Sequence, residues 1–142
     1  VVFNDQEHRG YQLFQKNCGV CHSEPLFSKP GTFASNGLQM DSLLHDKGRA
    51  EISGKLEDEF LFKVPSLRNV EATYPYMHDG RMKTLTEVVK YYSDRTLLLP
   101  KALGGGQHTI ALNSKERVDM VAFLMTLTDP GFLQNPSFQE PR

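Results

Sequence analysis

The most specific chemistry in the chain lies in Cys18-Gly19-Val20-Cys21-His22, which holds its only two cysteines. A disulfide across so short a loop would remove little entropy from the unfolded chain, so the pair is a poor structural staple. Its purpose is chemical. A thioredoxin-like redox pair wants a preceding strand, and a zinc site wants a second pair of ligands; the sequence offers neither. What remains is thioether attachment of a haem. Two thiols at this spacing reach both vinyl groups, and a histidine directly after the second is aimed at the iron by the helical turn. Cys18 and Cys21 are therefore read as covalent anchors of one haem c, and His22 as the proximal iron ligand.

The sixth ligand has several candidates. In a simple c-type cytochrome a methionine from a loop beyond the haem motif takes the distal position and raises the reduction potential. Met77, within Tyr74-Pro75-Tyr76-Met77-His78-Asp79-Gly80-Arg81, sits in that part of the chain. Met40 and Met82 suit core gaps, and Met120 and Met125 belong to a closing helix. His78 and Tyr92 can also bind iron, although His78 reads more simply as a buried, hydrogen-bonded histidine near a haem propionate.

Three helices must position these groups. Residues 5–17 carry Tyr11, Leu13 and Phe14 at helical spacing, with Asp5 able to cap and Gly10 and Phe14 four apart on one face. Thr84-x-x-Glu87 fits a capping box for a helix through Leu85, Val88, Val89 and Tyr92, ending near Ser93. A third runs from Ser114 to Leu127 and stops before Asp129-Pro130-Gly131. Between them lie Pro30-Gly31, Ser35-Asn36-Gly37, Lys47-Gly48-Arg49 and Gly104-Gly105-Gly106, turn signals with no long strand pattern. Loops this extensive need something to pack around, and a haem of large apolar area serves. Residues 135–142 read as an extended strap or a disordered end.

A length of 142 residues suits one domain, taken as 1–142 with about 128–142 as a C-terminal strap. With 16 basic and 17 acidic residues the net charge is -1, which gives no global field toward nucleic acid or an anionic membrane. No apolar run approaches the roughly 20 residues of a membrane span. Val1 to Asp5 lacks the features of a signal peptide, so the chain reads as a mature protein or an excised fragment.

With the haem motif placed, the chain resembles the C-terminal haem domain of bacterial di-haem cytochrome c peroxidases and their tryptophylquinone-maturing relatives. The resemblance is carried by Gly10-Tyr11-x-Leu13-Phe14, Asp46-x-Gly48-Arg49, Phe62-Lys63-Val64-Pro65-Ser66-Leu67-Arg68-Asn69-Val70, the Tyr74 to Arg81 stretch, Thr84-Leu85-x-Glu87-Val88-Val89 and Val121-Ala122-Phe123-Leu124-x-Thr126-Leu127-Thr128. It implies an all-α cytochrome c fold with extended loops packed around one covalently bound haem. Gly10 and Phe14 of the first helix would then cross Met120 and Phe123 of the last.

The resemblance implies an electron-transfer domain. In that family a C-terminal haem takes electrons from a small cytochrome c or cupredoxin and relays them to a peroxidatic haem in an N-terminal domain, which reduces hydrogen peroxide to water in the periplasm. This chain has one CxxCH and no tryptophan, so the N-terminal peroxidatic domain is expected to lie outside it and the chain alone to turn over peroxide slowly. A homodimer is a further expectation. Two alternatives stand beside this reading: a free-standing monohaem carrier, and an oxidase-like relative with a Tyr-ligated haem that modifies a partner protein.

Site residues follow by the same resemblance. The peroxidase methionine ligand falls about where Tyr92 stands, as the tyrosine of the cofactor-maturing relatives does, and the Met77 position is commonly phenylalanine. Tyr92 and Met77 both stay open as distal ligands. A phenolate would lower the potential relative to a thioether. Thr73 and Pro75 match positions whose carbonyls help hold a calcium between the two domains. Arg49, Arg68 and Arg81 are expected partners of the propionates, and Lys29, Lys47, Lys55, Lys63 and Lys83 are available for docking a redox partner.

Overall fold

The structure, a computed structural model, describes residues 2–138. Helix α1 (Asp5–Asn17) starts at Asn4, whose side chain accepts the Glu7 amide while the Glu7 carboxylate accepts the Asn4 amide. Asn4, and not Asp5, therefore caps the helix, through a reciprocal capping box. Helix α2 (Ala50–Ser53) is a single turn closed by Gly54. Helix α3 (Leu85–Tyr92) carries the expected Thr84/Glu87 box and ends at Ser93. Helix α4 (Ser114–Met125) opens on a third such box, Asn113 with Glu116, is capped by Thr126 and ends two residues before the expected Leu127. A short α5 (Pro130–Leu133) capped by Asp129, then a 3-10 turn at Pro136–Phe138, occupy the stretch read as a strap. The last part of that strap, residues 139–142, lies outside the described residues.

The expectation of an all-α class is corrected by two small antiparallel sheets. Strand β1 (Phe33–Ala34) pairs with β2 (Phe62–Lys63), and β3 (Arg95–Leu98) pairs with β4 (Gln107–Ile110). Segments of two to four residues are too short to show an alternating pattern. The β3–β4 register is held locally: Thr96 faces Thr109 with their hydroxyls 2.8 Å apart, and the Leu99 amide donates to Gly106 across the glycine-rich turn.

The core forms where α1 crosses α4. Phe14, Met120 and Phe123 are its most buried large side chains, and the Phe14 and Phe123 rings sit 5.0 Å apart. Gly10 makes the crossing close, because a Cβ there would lie 2.0 Å from the Asp119 carbonyl oxygen. Beside it the Arg9 guanidinium pairs with the buried Asp119 at 2.9 Å. Helix α3 joins the same core through Leu85 and Val89, with Cys18, Phe27, Leu67 and Tyr92 packed against it. Among the described residues no helix is long and apolar enough to cross a membrane.

Candidate haem site

The cysteine-histidine turn continues α1. Cys18 caps the helix by donating to Phe14 O at 2.7 Å, and the Cys21 and His22 amides return to Cys18 O at 3.1 and 2.9 Å. This helical winding brings both thiols and the imidazole round one turn. The thiols are free and half-buried. Burial pushes Cys18 up to about 12, helped by the neighbouring Cys21, and raises Cys21 against the opposing pull of Lys29.

His22 is oriented by backbone. Its Nδ1 lies 3.1 Å from Phe27 O and 3.1 Å from Pro65 O. Two carbonyl acceptors require a proton on Nδ1, which leaves the Nε2 lone pair for a metal. Burial lowers the pKa of His22, against the raising effect of those carbonyls, so the ring is neutral as a ligand must be. The carbonyls are themselves braced. Ser66 Oγ donates to Leu26 O at 2.8 Å, the Leu67 amide to Phe27 O, and Ser28 Oγ to Val64 O. The Val64-Pro65-Ser66-Leu67 stretch thus clamps the loop after the motif onto the imidazole. It is the functional segment that residue-by-residue reading missed, because carbonyl oxygens leave no signal in side-chain types.

The two distal candidates come from different elements. Tyr92, at the end of α3, packs with Cys18 against the same core, and burial pushes its hydroxyl up to about 12. Met77, in a left-handed turn at φ 73°, has its sulfur 3.4 Å from Asn36 Nδ2. His78 stacks on Phe62 with ring centroids 3.9 Å apart, and its Nδ1 is buried with no hydrogen-bond partner.

The three arginines are already paired within the protein. Arg49 meets Asp58 at 3.2 Å and lies over the Phe33 ring. Arg68 meets Asp129 at 2.6 Å and lies over Phe132, so it fastens α5. Arg81 pairs with Asp79 and donates to Gln39 O; burial pushes the Asp79 carboxyl up, but Arg81 outweighs it and holds the group below its ordinary range. Thr73 Oγ1 donates to Val70 O, and Pro75 packs beneath Gly80. No cluster of three or more His, Cys, Asp or Glu able to hold a metal ion is found among the described residues. Lys47 and Lys55 are ion-paired with Glu59 and Glu57.

These residues fit a haem of the c type. Two unpaired thiols, an imidazole with Nδ1 engaged and Nε2 free, a methionine sulfur held by an amide, and an orphaned buried nitrogen on His78 form a coherent donor set.

The cytochrome c family profile matches residues 7–128, and the chain belongs to that family. It is similar to a cytochrome c551 peroxidase of Nitrosomonas europaea, at 34% identity over 99% of this chain and 38% of that protein. It is also similar to the methylamine utilization protein MauG of Methylophilus methylotrophus, at 30% identity over 94% of this chain and 39% of that protein. Among solved structures, a MauG-like protein associated with microbial copper homeostasis superposes with a TM-score of 0.77 at 31% identity, covering 99% of this chain and 52% of the other. The chain thus spans well under half the length of the two curated relatives. Haem c is the cofactor this family implies, and an electron-transfer role is consistent with it.

Proposed function

We propose that this chain is the electron-transfer haem domain of a di-haem, peroxidase-type protein of the bacterial periplasm. It takes electrons from a small cytochrome c or cupredoxin and relays them to a peroxidatic haem in an N-terminal domain outside residues 1–142. The observation that carries the reading is the His22 imidazole, whose Nδ1 is held by Phe27 O and Pro65 O directly after two free thiols.

Cys18 and Cys21 would hold one haem c covalently, and it would supply a one-electron store. His22 would hold the iron through Nε2 and is kept from rotating by its two carbonyl partners. Tyr92 would be the distal donor, with Met77 as the competitor. The core of Phe14, Met120 and Phe123 keeps the turn that carries the thiols fixed on α4, which limits reorganisation when an electron arrives. His78 Nδ1, buried without a protein partner, is suited to hydrogen-bond a propionate.

A second reading is favoured by Tyr92, which packs with Cys18 against the same core. There the domain serves an oxidase-like relative that uses a Tyr-ligated haem on a protein substrate.

The test uses the haem-loaded chain in rapid mixing, first with a reduced small cytochrome and then with hydrogen peroxide. Reversible uptake of one electron with slow peroxide turnover is expected. Fast peroxide turnover by residues 1–142 alone would overturn the relay assignment.

A further inference from the structure

The β3–β4 hairpin reaches the start of the cysteine turn through His108. Its Nε2 lies 2.7 Å from the carbonyl oxygen of Asn17, 91 residues away in the chain and directly before Cys18. A carbonyl only accepts, so Nε2 carries the proton and donates. Asn17 is the last residue of α1, and its carbonyl is one of those that a helix end leaves without an internal partner. In a regular helix it would accept the Cys21 amide, four residues on. That amide donates instead to Cys18 O at 3.1 Å, a tighter winding. The buried Asn17 side chain is committed elsewhere, its Nδ2 donating to Leu13 O at 2.8 Å. The hairpin in turn fixes His108: it faces Leu97, which packs against the core, and the adjoining pair Thr96 and Thr109 is bridged by its hydroxyls.

We propose that His108 is a positioning residue for haem attachment: its Nε2–H occupies the Asn17 carbonyl, leaves the Cys21 amide to Cys18 O, and so keeps the two thiols at the spacing one haem needs. The inference rests on the haem reading above. Without the donor, Asn17 O is free to take the Cys21 amide, and α1 then winds on regularly and carries Cys21 round to a different place. Attachment suffers because both thiols must be presented together. Each thiol adds its S–H across one vinyl group, forming an S–C bond and passing its hydrogen to the other vinyl carbon, with no net oxidation.

Two variants, matured with haem in a bacterial envelope, test this by the mass of the Cys18 to His22 peptide after alkylation of free thiols. His108→Phe keeps a flat ring of similar size and removes the donor. His108→Gln removes the ring and keeps an N–H of similar reach. The phenylalanine variant is expected to show a rise of about two- to tenfold in the fraction of chains with an alkylatable thiol, the worth of one hydrogen bond, and the glutamine variant a parent-like fraction. A ring needed only for packing gives the reverse order. That result would overturn the proposal, as would parent-like attachment in both variants. If the phenylalanine variant does not accumulate, the glutamine variant decides alone: parent-like attachment supports the donor role, and a raised free-thiol fraction overturns it. Two free thiols in the parent itself would instead defeat the haem reading.

Discussion

His22 Nδ1 lies 3.1 Å from the carbonyl oxygen of Pro65, across 43 residues of chain. That contact makes the proximal ligand depend on a segment far from the cysteine motif. Ser66 helps hold the segment in place by donating to Leu26 O at 2.8 Å. Ser66→Ala is expected to cost about 0.5–1.5 kcal/mol in stability. It should also raise the reduction potential, because a loosened Pro65 carbonyl makes His22 a weaker donor. Denaturant unfolding and redox titration of the haem-loaded chain check the pair. An unchanged potential would detach Pro65 from the iron.

The α1–α4 crossing gives a purely steric expectation. Gly10→Ala places a Cβ 2.0 Å from Asp119 O and 2.8 Å from Phe123 Cβ, neither of which can move without separating the helices. A loss of about 1–3 kcal/mol or more is expected. Gly31→Ala is the control, since nothing lies within 4 Å of its Cβ and only the positive φ of 75° opposes it. That strain costs about 1–2 kcal/mol. Equal thermal shifts combined with a normal haem spectrum in both would argue against a close crossing.

The Arg9–Asp119 pair ties the same two helices and gives a pH dependence. The hydrogen bond from Arg9 holds the Asp119 carboxyl below its ordinary value, against the opposing effect of burial. A depressed acid contributes stability that is present above its unfolded pKa, about 3.9, and is lost as pH falls through the folded value. Asp119→Asn should therefore be less stable than the parent at neutral pH, with the gap closing as pH drops below about 4. Urea midpoints measured across that range check it, and a gap independent of pH would remove the ion pair from the explanation.

Arg68 joins the haem-side clamp to the end of the chain through Asp129 and Phe132. Arg68→Ala should release α5 while leaving the α1–α4 core intact. Hydrogen exchange should then rise in residues 130–138 and stay unchanged in residues 5–17. Uniform acceleration would show that α5 is part of the core unit.

The parts of the fold that could be read in advance are those whose cause is local. The Thr84/Glu87 box and the spacing of Leu85 and Val89 define α3, and Gly10 with Phe14 points to the crossing. Cys18, Cys21 and His22 are legible because attachment chemistry demands adjacency. The β3–β4 hairpin was not legible, since Gly104 to Gly106 read as loop and four-residue strands lack a pattern. The contact of Asn36 with Met77 was hidden in a Ser-Asn-Gly turn signal, because the two residues are distant in sequence. The carbonyls of Phe27 and Pro65 belong to no residue type at all.

The whole account depends on one haem held by one turn, and the mass of the peptide spanning Cys18 to His22, from protein matured with haem in a bacterial envelope, tests that most directly. The expected result is a single haem added to this peptide with neither thiol free to alkylate, and loss of that mass in a Cys18→Ser, Cys21→Ser double variant. An unmodified peptide with two alkylatable thiols, or a haem removed by mild acid extraction, would contradict it.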